Sequence, residues 1–308
     1  MVEETKLEKR KRVKETNALL VITLLVYVIG DLVLEIMANI FGGFFSETMF
    51  RLIAGQMLLL LPSIIYLKKK KLKIREVISF KMLHPATIVC IFIFTMLSYP
   101  IVIFCNYLSL LVSENTIANT INDVLSVYPT WFCVIAIALI PCCVEEFLFR
   151  GVLADAYKRS GMIKAAFFTA LMFGLLHMNI NQMSYAIVMG ILFFALNEVT
   201  GSILSSMLVH FIINGISVVS SATYIKQYGD LPADTANQFG QNLFIIVGLG
   251  IISLVCIGLI MLLLWAMMYL EKRVDILKEE FVNTKEKCRL LSPILVIYFA
   301  FCIWMMFL

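Results

Sequence analysis

Runs of roughly 18 to 25 apolar residues recur from Ala18 to the carboxyl end, and they limit what this chain can fold into. At 1.5 Å per helical residue, each run is long enough to cover about 30 Å of hydrocarbon. Backbone inside lipid must satisfy its own hydrogen bonds, which leaves helices or closed barrels. Barrel strands would show alternating polarity over about ten residues, and the runs show none. The expected fold is therefore an all-α, polytopic transmembrane helix bundle. Composition points the same way: 61% of the 308 residues are hydrophobic and 15% are charged. A soluble domain of this length could not hide so much apolar side chain.

Nine apolar segments are expected, at about 18–41, 50–67, 86–112, 131–153, 164–180, 183–199, 202–220, 243–270 and 292–308. Lysine and arginine concentrate in Lys6–Lys14, Lys68–Arg75, Lys158–Lys164 and Lys272–Arg289, which all fall on one side when the spans are counted. The opposite loops carry almost none. The positive-inside rule then puts the N-terminus in the cytoplasm and the ninth span's end outside. Residues 1–17 read as a cytoplasmic N-terminal segment, too long and charged for a simple signal-peptide n-region, and 18–308 as one membrane domain. Glu271–Leu291 is amphipathic and is expected along the cytoplasmic interface. The cysteines, Cys142 and Cys143 among them, show neither metal-ligand spacing nor a secreted disulfide framework and read as core packing. The net charge of +4 is explained by topology, so no nucleic-acid partner is expected. The expected location is a bacterial plasma membrane.

Ionisable residues inside spans are costly unless they face a partner or a wet cavity, so they mark candidate sites. The fourth segment contains PCCVEEFLFRG, with Glu146 and Arg150 four apart and able to pair, and Glu145 rotated about 100° away. The fifth carries Phe173 and His177 at the same spacing, the seventh His210 and Asn214. A hairpin turning near Ser160–Gly161 brings Glu145 and His177 to similar depth. His210 lies about 13 Å in from the turn at Gly201. Glu145, His177, His210 and Asn214 are thus expected to converge in the cytoplasmic half or near mid-membrane. A carboxylate can take a proton from attacking water, a histidine can assist, and an amide can donate to an oxyanion. No serine or cysteine forms a convincing nucleophile pair with either histidine, so water is the expected nucleophile.

The order EExxxR, FxxxH, HxxxN on separate spans resembles the CAAX prenyl protease and bacteriocin-processing (CPBP) family of intramembrane glutamic endopeptidases. The resemblance covers about residues 130–220. It implies that Glu145 activates water with help from His177, that His210 and Asn214 stabilise the oxyanion, and that Glu146 and Arg150 form an orienting pair, with Phe173 in support. It implies a membrane-associated peptide substrate, prenylated or a bacteriocin or signal peptide, and no cofactor; the depth of the residues and the loop charges put the expected cleavage near the cytoplasmic face.

Other readings use the same residues. Buried Glu, His and Asp also make the relays of proton-coupled transporters, although no inverted halves are detectable. Glu145, His177 and His210 could ligate zinc, although no HExxH helix is present. A non-catalytic bacteriocin-immunity protein would keep the site for stability. Asp31 and Glu35 share a face of the first span and suggest an interhelical contact or an outer vestibule. Gly151 and Gly174 are expected to permit close helix packing. Asn179 and Asn181 read as residues of an outer loop, Asn197 and Glu198 as interfacial, and His84 as a surface histidine.

Overall fold

The computed structural model describes residues 5–113, 117–229, 243–275 and 289–307. Eleven helices follow one another: α1 (Lys6–Phe41), α2 (Thr48–Lys69), α3 (Ile74–Val77), α4 (Pro85–Ser109), α5 (Ile117–Val127), α6 (Thr130–Ser160), α7 (Met162–Leu176), α8 (Ile180–Thr200), α9 (Ile203–Tyr228), α10 (Leu243–Leu270) and α11 (Pro293–Met305). Among the described residues no sheet forms; a single antiparallel bridge joins Phe80 and Ser202. The protein is an all-α, multi-pass integral membrane bundle.

Seven of these helices are long and apolar enough to cross a membrane: α1, α2, α4, α6, α8, α9 and α10. The two expected spans that fall short are α7, with 15 residues, and α11, with 13. At 1.5 Å per residue they cover only about 20 Å. In α7 Ala165, Thr169, Ala170, Met172 and Phe173 are buried, while Ile163 and Phe167 are exposed. Conversely, α1 begins well before Ala18, because Thr5 and Glu8 form a reciprocal capping box that starts the helix among the charged residues. The expected amphipathic stretch 271–291 lies largely outside the described residues.

Polar side chains join the helices at defined depths. Asn17 of α1 accepts from the Tyr157 hydroxyl of α6 at 2.7 Å and donates to Leu290 O at 3.0 Å and Ser292 Oγ at 2.8 Å, where α11 begins. Tyr298 of α11 donates to Met172 O of α7 at 2.8 Å. Each bond satisfies a polar group that would otherwise be stranded in an apolar interior. Asn181 is corrected by the structure. It is not a loop residue but a buried one in the first turn of α8, donating to Asn106 Oδ1 and Ser109 Oγ at 2.7 Å each. Asn179 caps the same helix, accepting from Gln182 N at 2.9 Å. Gly174 packs against a helix as expected, a Cβ there falling 2.5 Å from Ile187 Cγ1 of α8, whereas Gly151 faces the Ile78 side chain in the turn after α3, 2.5 Å from a Cβ. Outward-facing side chains such as Phe244, Leu254 and Leu262 remain exposed, as a lipid-facing surface requires.

Contacts between helix termini gather the ends of the bundle in two sets. At the first end Lys70 pairs with Glu15 at 2.6 Å, Arg12 with Asp155 at 3.1 Å, Lys158 with Glu198 at 2.7 Å and Lys81 with Glu271 at 2.9 Å. The opposite end has Tyr128 donating to Glu47 Oε2 at 2.5 Å. His84, expected at the surface, caps α4 and donates its backbone N–H to Glu271 Oε1 at 2.8 Å. Burial acts to raise the Glu271 carboxyl, but the hydrogen bonds from Lys81 and His84 outweigh it and hold the carboxyl below its ordinary value. A depressed folded-state pKa contributes stability that is present above the unfolded value and lost as pH falls through the folded one. Glu271→Gln is therefore expected to cost about 1.5–3 kcal/mol at neutral pH. Thermal unfolding in detergent should show the gap between variant and wild type closing on acidification below the usual carboxylate range.

Candidate active site

The helix that carries the two glutamates is irregular. In α6, π-helical segments at Val134–Leu139 and Phe147–Leu153 flank an α-helical stretch, Ile140–Glu146. Pro141 contributes to the break, since it has no N–H to return to Ile137, four residues earlier. Asn214 of α9 turns its Nδ2 toward the Ile137 carbonyl at 3.5 Å, a long contact. Such wide turns are frequent at functional sites, because they redirect side chains that a regular helix would not. Here Glu145 and Glu146 stand at the end of the α-helical stretch, where the second wide turn begins.

Glu146 and Arg150 pair as the spacing predicts, at 3.1 Å, and both side chains are fully buried. The guanidinium lies among aromatic rings, 4.3 Å from the centroid of Phe173, 5.2 Å from Phe193 and 5.9 Å from Phe149. Ring faces partly replace the solvation that the cation loses on burial. Gly190 makes room for it: a Cβ there would lie 3.0 Å from Arg150 Nη2 and 2.8 Å from Ala170 Cα. This glycine therefore serves both the close approach of α7 to α8 and the Arg150 pocket.

His210 joins the two carboxylates. Its Nδ1 is 3.2 Å from Glu146 Oε1 and its Nε2 is 3.7 Å from Glu145 Oε2. The first is a hydrogen bond; the second is too long for one and leaves Nε2 able to engage a third oxygen. Phe193 stacks on the ring at 5.3 Å and 27°. Glu146, expected with Arg150 as an orienting pair, meets His210 through this bond, and Glu145 lies on the other side of the same ring.

His177 is not inside a span. It follows the last residue of α7 as its C-cap, and its Nδ1 is 2.8 Å from Phe173 O. A carbonyl has no hydrogen to give, so Nδ1 donates, satisfying one of the four carbonyls that a helix end leaves open. That bond explains the four-residue spacing of Phe173 and His177. In the neutral ring it also leaves Nε2 as the nitrogen with a free lone pair.

Two adjoining cavities receive these groups. One, of about 370 Å³, is lined by Glu145, Phe173 and His177 together with Asp31, Arg51 and Gln56. The other, of about 340 Å³, has Glu145, His177, His210 and Asn214 in its wall. Gln56, Gln182 and Glu145 line both. The Gln56 amide donates to Glu145 Oε1 at 3.1 Å and so fixes one oxygen of that carboxylate. Asp31 pairs with Arg51 at 3.1 Å in the first cavity, whereas Glu35 is exposed and takes no part in the wall. Among the described residues no three His, Cys, Asp or Glu groups are arranged to hold a metal ion.

All seven residues singled out from the sequence lie within one stretch. Residues 127–216 match the family model described as type II CAAX prenyl endopeptidase Rce1-like. This segment belongs to the CPBP family. The family is one of membrane proteases, and the matched segment runs from the last residue of α5 to the middle of α9. No curated protein and no solved structure matches the chain.

Gln56, Arg51, Gln182 and Tyr185 were missed from sequence, and the first three had a readable signal. Gln56 is polar within the apolar run of α2, and the reasoning that selected Glu145 applies to it equally. Glu145 and His177, expected at similar depth from their equal distance to Gly161, line the same two cavities; α7 ends at Leu176, so His177 occupies the turn remote from Gly161.

Breaking a buried ion pair leaves an uncompensated charge and costs about 3–5 kcal/mol. Glu146→Gln and Arg150→Met are each expected to lower thermal stability by that order. The double variant should lose clearly less than the sum, measured by unfolding in detergent as a double-mutant cycle.

Proposed function

We propose that this protein is an intramembrane, glutamate-dependent endopeptidase that cleaves a membrane-associated peptide with water as the nucleophile. The observation that carries the reading is His210 standing between Glu145 and Glu146 in the wall of a cavity shared with His177 and Asn214. Gln56 holds one Glu145 oxygen, leaving the other toward His210 and the cavity. Glu145, with His177 Nε2 as partner, takes a proton from water as its oxygen attacks the scissile carbonyl. The amide of Asn214 and the Nε2 of His210, when the ring carries both protons, donate to the oxyanion as charge develops there. The proton gained from water then passes to the leaving amine. Glu146 and Arg150 touch no substrate in this scheme; they fix the His210 ring through Nδ1. No cofactor is assigned to the reaction.

The test is cleavage of candidate membrane-anchored peptides by purified wild type and variants. Glu145→Gln should lower turnover by about 10²–10⁴-fold, with its unfolding temperature close to wild type. Asn214→Ala should cost about 10²–10³-fold in kcat. Full activity in Glu145→Gln would overturn the mechanism. Activity that a chelator removes and zinc restores would move the reading to metal catalysis. Proton-coupled flux in liposomes without cleavage of any peptide would replace it with transport.

A further inference from the structure

We propose that the catalytic cavity is reached from the non-cytoplasmic face of the membrane, and that the peptide it takes is delivered from that side, as an exported and still bilayer-associated segment would be. That the occupant is a peptide rests on the reading above; the side of access does not.

Two observations meet here. The first is charge. Among the described residues, every lysine and arginine except Arg51, Lys226 and the buried Arg150 lies at the first end of the bundle or in the helix turns that form it. Short basic loops are retained in the cytoplasm, so the first end is the cytoplasmic one. The second is the direction in which the cavities open. The larger reaches Ser46 and Thr48 in the turn between α1 and α2, and Gln182 in the first turn of α8. The other reaches Thr120 and Ile121 on α5 and Ser217 and Ser221 on the far half of α9. All of these belong to the opposite end, and neither cavity is lined by a residue from the basic turns.

The route toward the basic end is closed by side chains already described. Arg150 and Phe149 are buried between the reacting groups and that end, with Phe193 beside them. A separate cavity of about 290 Å³ lies beyond, lined by Arg75, Lys158, Glu198 and Arg273, and it touches Arg150 from the other side. The caged guanidinium is thus the partition between a cytoplasmic pocket and the reacting groups. The expectation of cleavage near the cytoplasmic face followed from the depth of His210 counted from Gly201; the residues that line the cavities beyond it lie toward the opposite end.

The experiment is thiol labelling of the full chain in right-side-out and inverted membrane vesicles, using a charged reagent that cannot cross lipid. Three single variants are compared with the parent chain, whose own cysteines set the background. Ser46→Cys reports the turn beside the larger cavity, Lys71→Cys the basic end and Gly55→Cys the cavity wall. A Cβ at position 55 lies 3.4 Å from Tyr27 Cε2, an ordinary contact, so that substitution is tolerated. The expected result is labelling of the variants at 46 and 55 in right-side-out vesicles only, and of the variant at 71 in inverted vesicles only. Labelling at 55 from the same face as 71, or at neither face, overturns the proposed access. Labelling at 46 only in inverted vesicles overturns the assigned orientation. Thr48→Cys repeats the cavity measurement should the position-55 variant fail to accumulate. None of these readouts needs proteolysis, so a chain that labels as expected but cleaves nothing would refute the peptidase reading alone.

Discussion

Glu146 and Arg150 place two opposite charges in the middle of a membrane helix, and much of the surrounding structure follows from making that arrangement tolerable. Neither group can reach water, and lipid offers no compensation. The pair is therefore closed at 3.1 Å and wrapped by Phe149, Phe173 and Phe193, with His210 on the carboxylate. Bringing those rings around the guanidinium requires α7 and α8 to approach closely, which the absence of a side chain at Gly190 allows. The second half of α7, from Thr169 to Leu176, is largely buried around this pair, whereas Ile163 and Phe167 in its first half remain exposed.

Phe173 connects this structural pair to the chemistry. Its ring face lies over Arg150, its edge contacts His177 at 5.0 Å, and its carbonyl fixes the His177 ring through Nδ1. One residue thus supports the buried cation and sets which nitrogen of His177 faces the cavity. The role that resemblance to the CPBP family gives it, a supporting one, acquires a physical content here. Gln56 does the corresponding task for Glu145 from outside the matched segment, so α2 completes a site whose ionisable groups come from α6, α7 and α9.

The bundle's two ends differ in a way that matters for function. At the basic end, ion pairs join α1, α2, α6, α8 and the start of α4 to the end of α10, and the chain is tied together there. At the other end, among the described residues, the helices part around the cavities, and their connections include Tyr128 with Glu47, Asn181 with Asn106 and the pair of Arg51 with Asp31. Rigidity at one end and space at the other are what the proposed peptidase would need to admit a peptide while holding its reacting groups still.

The apolar runs determined the all-α membrane fold by themselves, because lipid penalises every other backbone arrangement. Spacing alone also determined the Glu146–Arg150 pair and the Phe173–His177 link, since residues four apart share a helix face wherever the helix goes. The lengths of α7 and α11, 15 and 13 residues, were not legible from hydropathy, because an apolar run does not mark where its helix is capped. The contribution of Gln56, the burial of Asn181 and the bridging position of His210 depended on residues far apart in sequence meeting across helix interfaces. The direction in which the site opens belonged to the fold as well. Loop charges orient a membrane chain, but only the packed helices decide at which end they leave room.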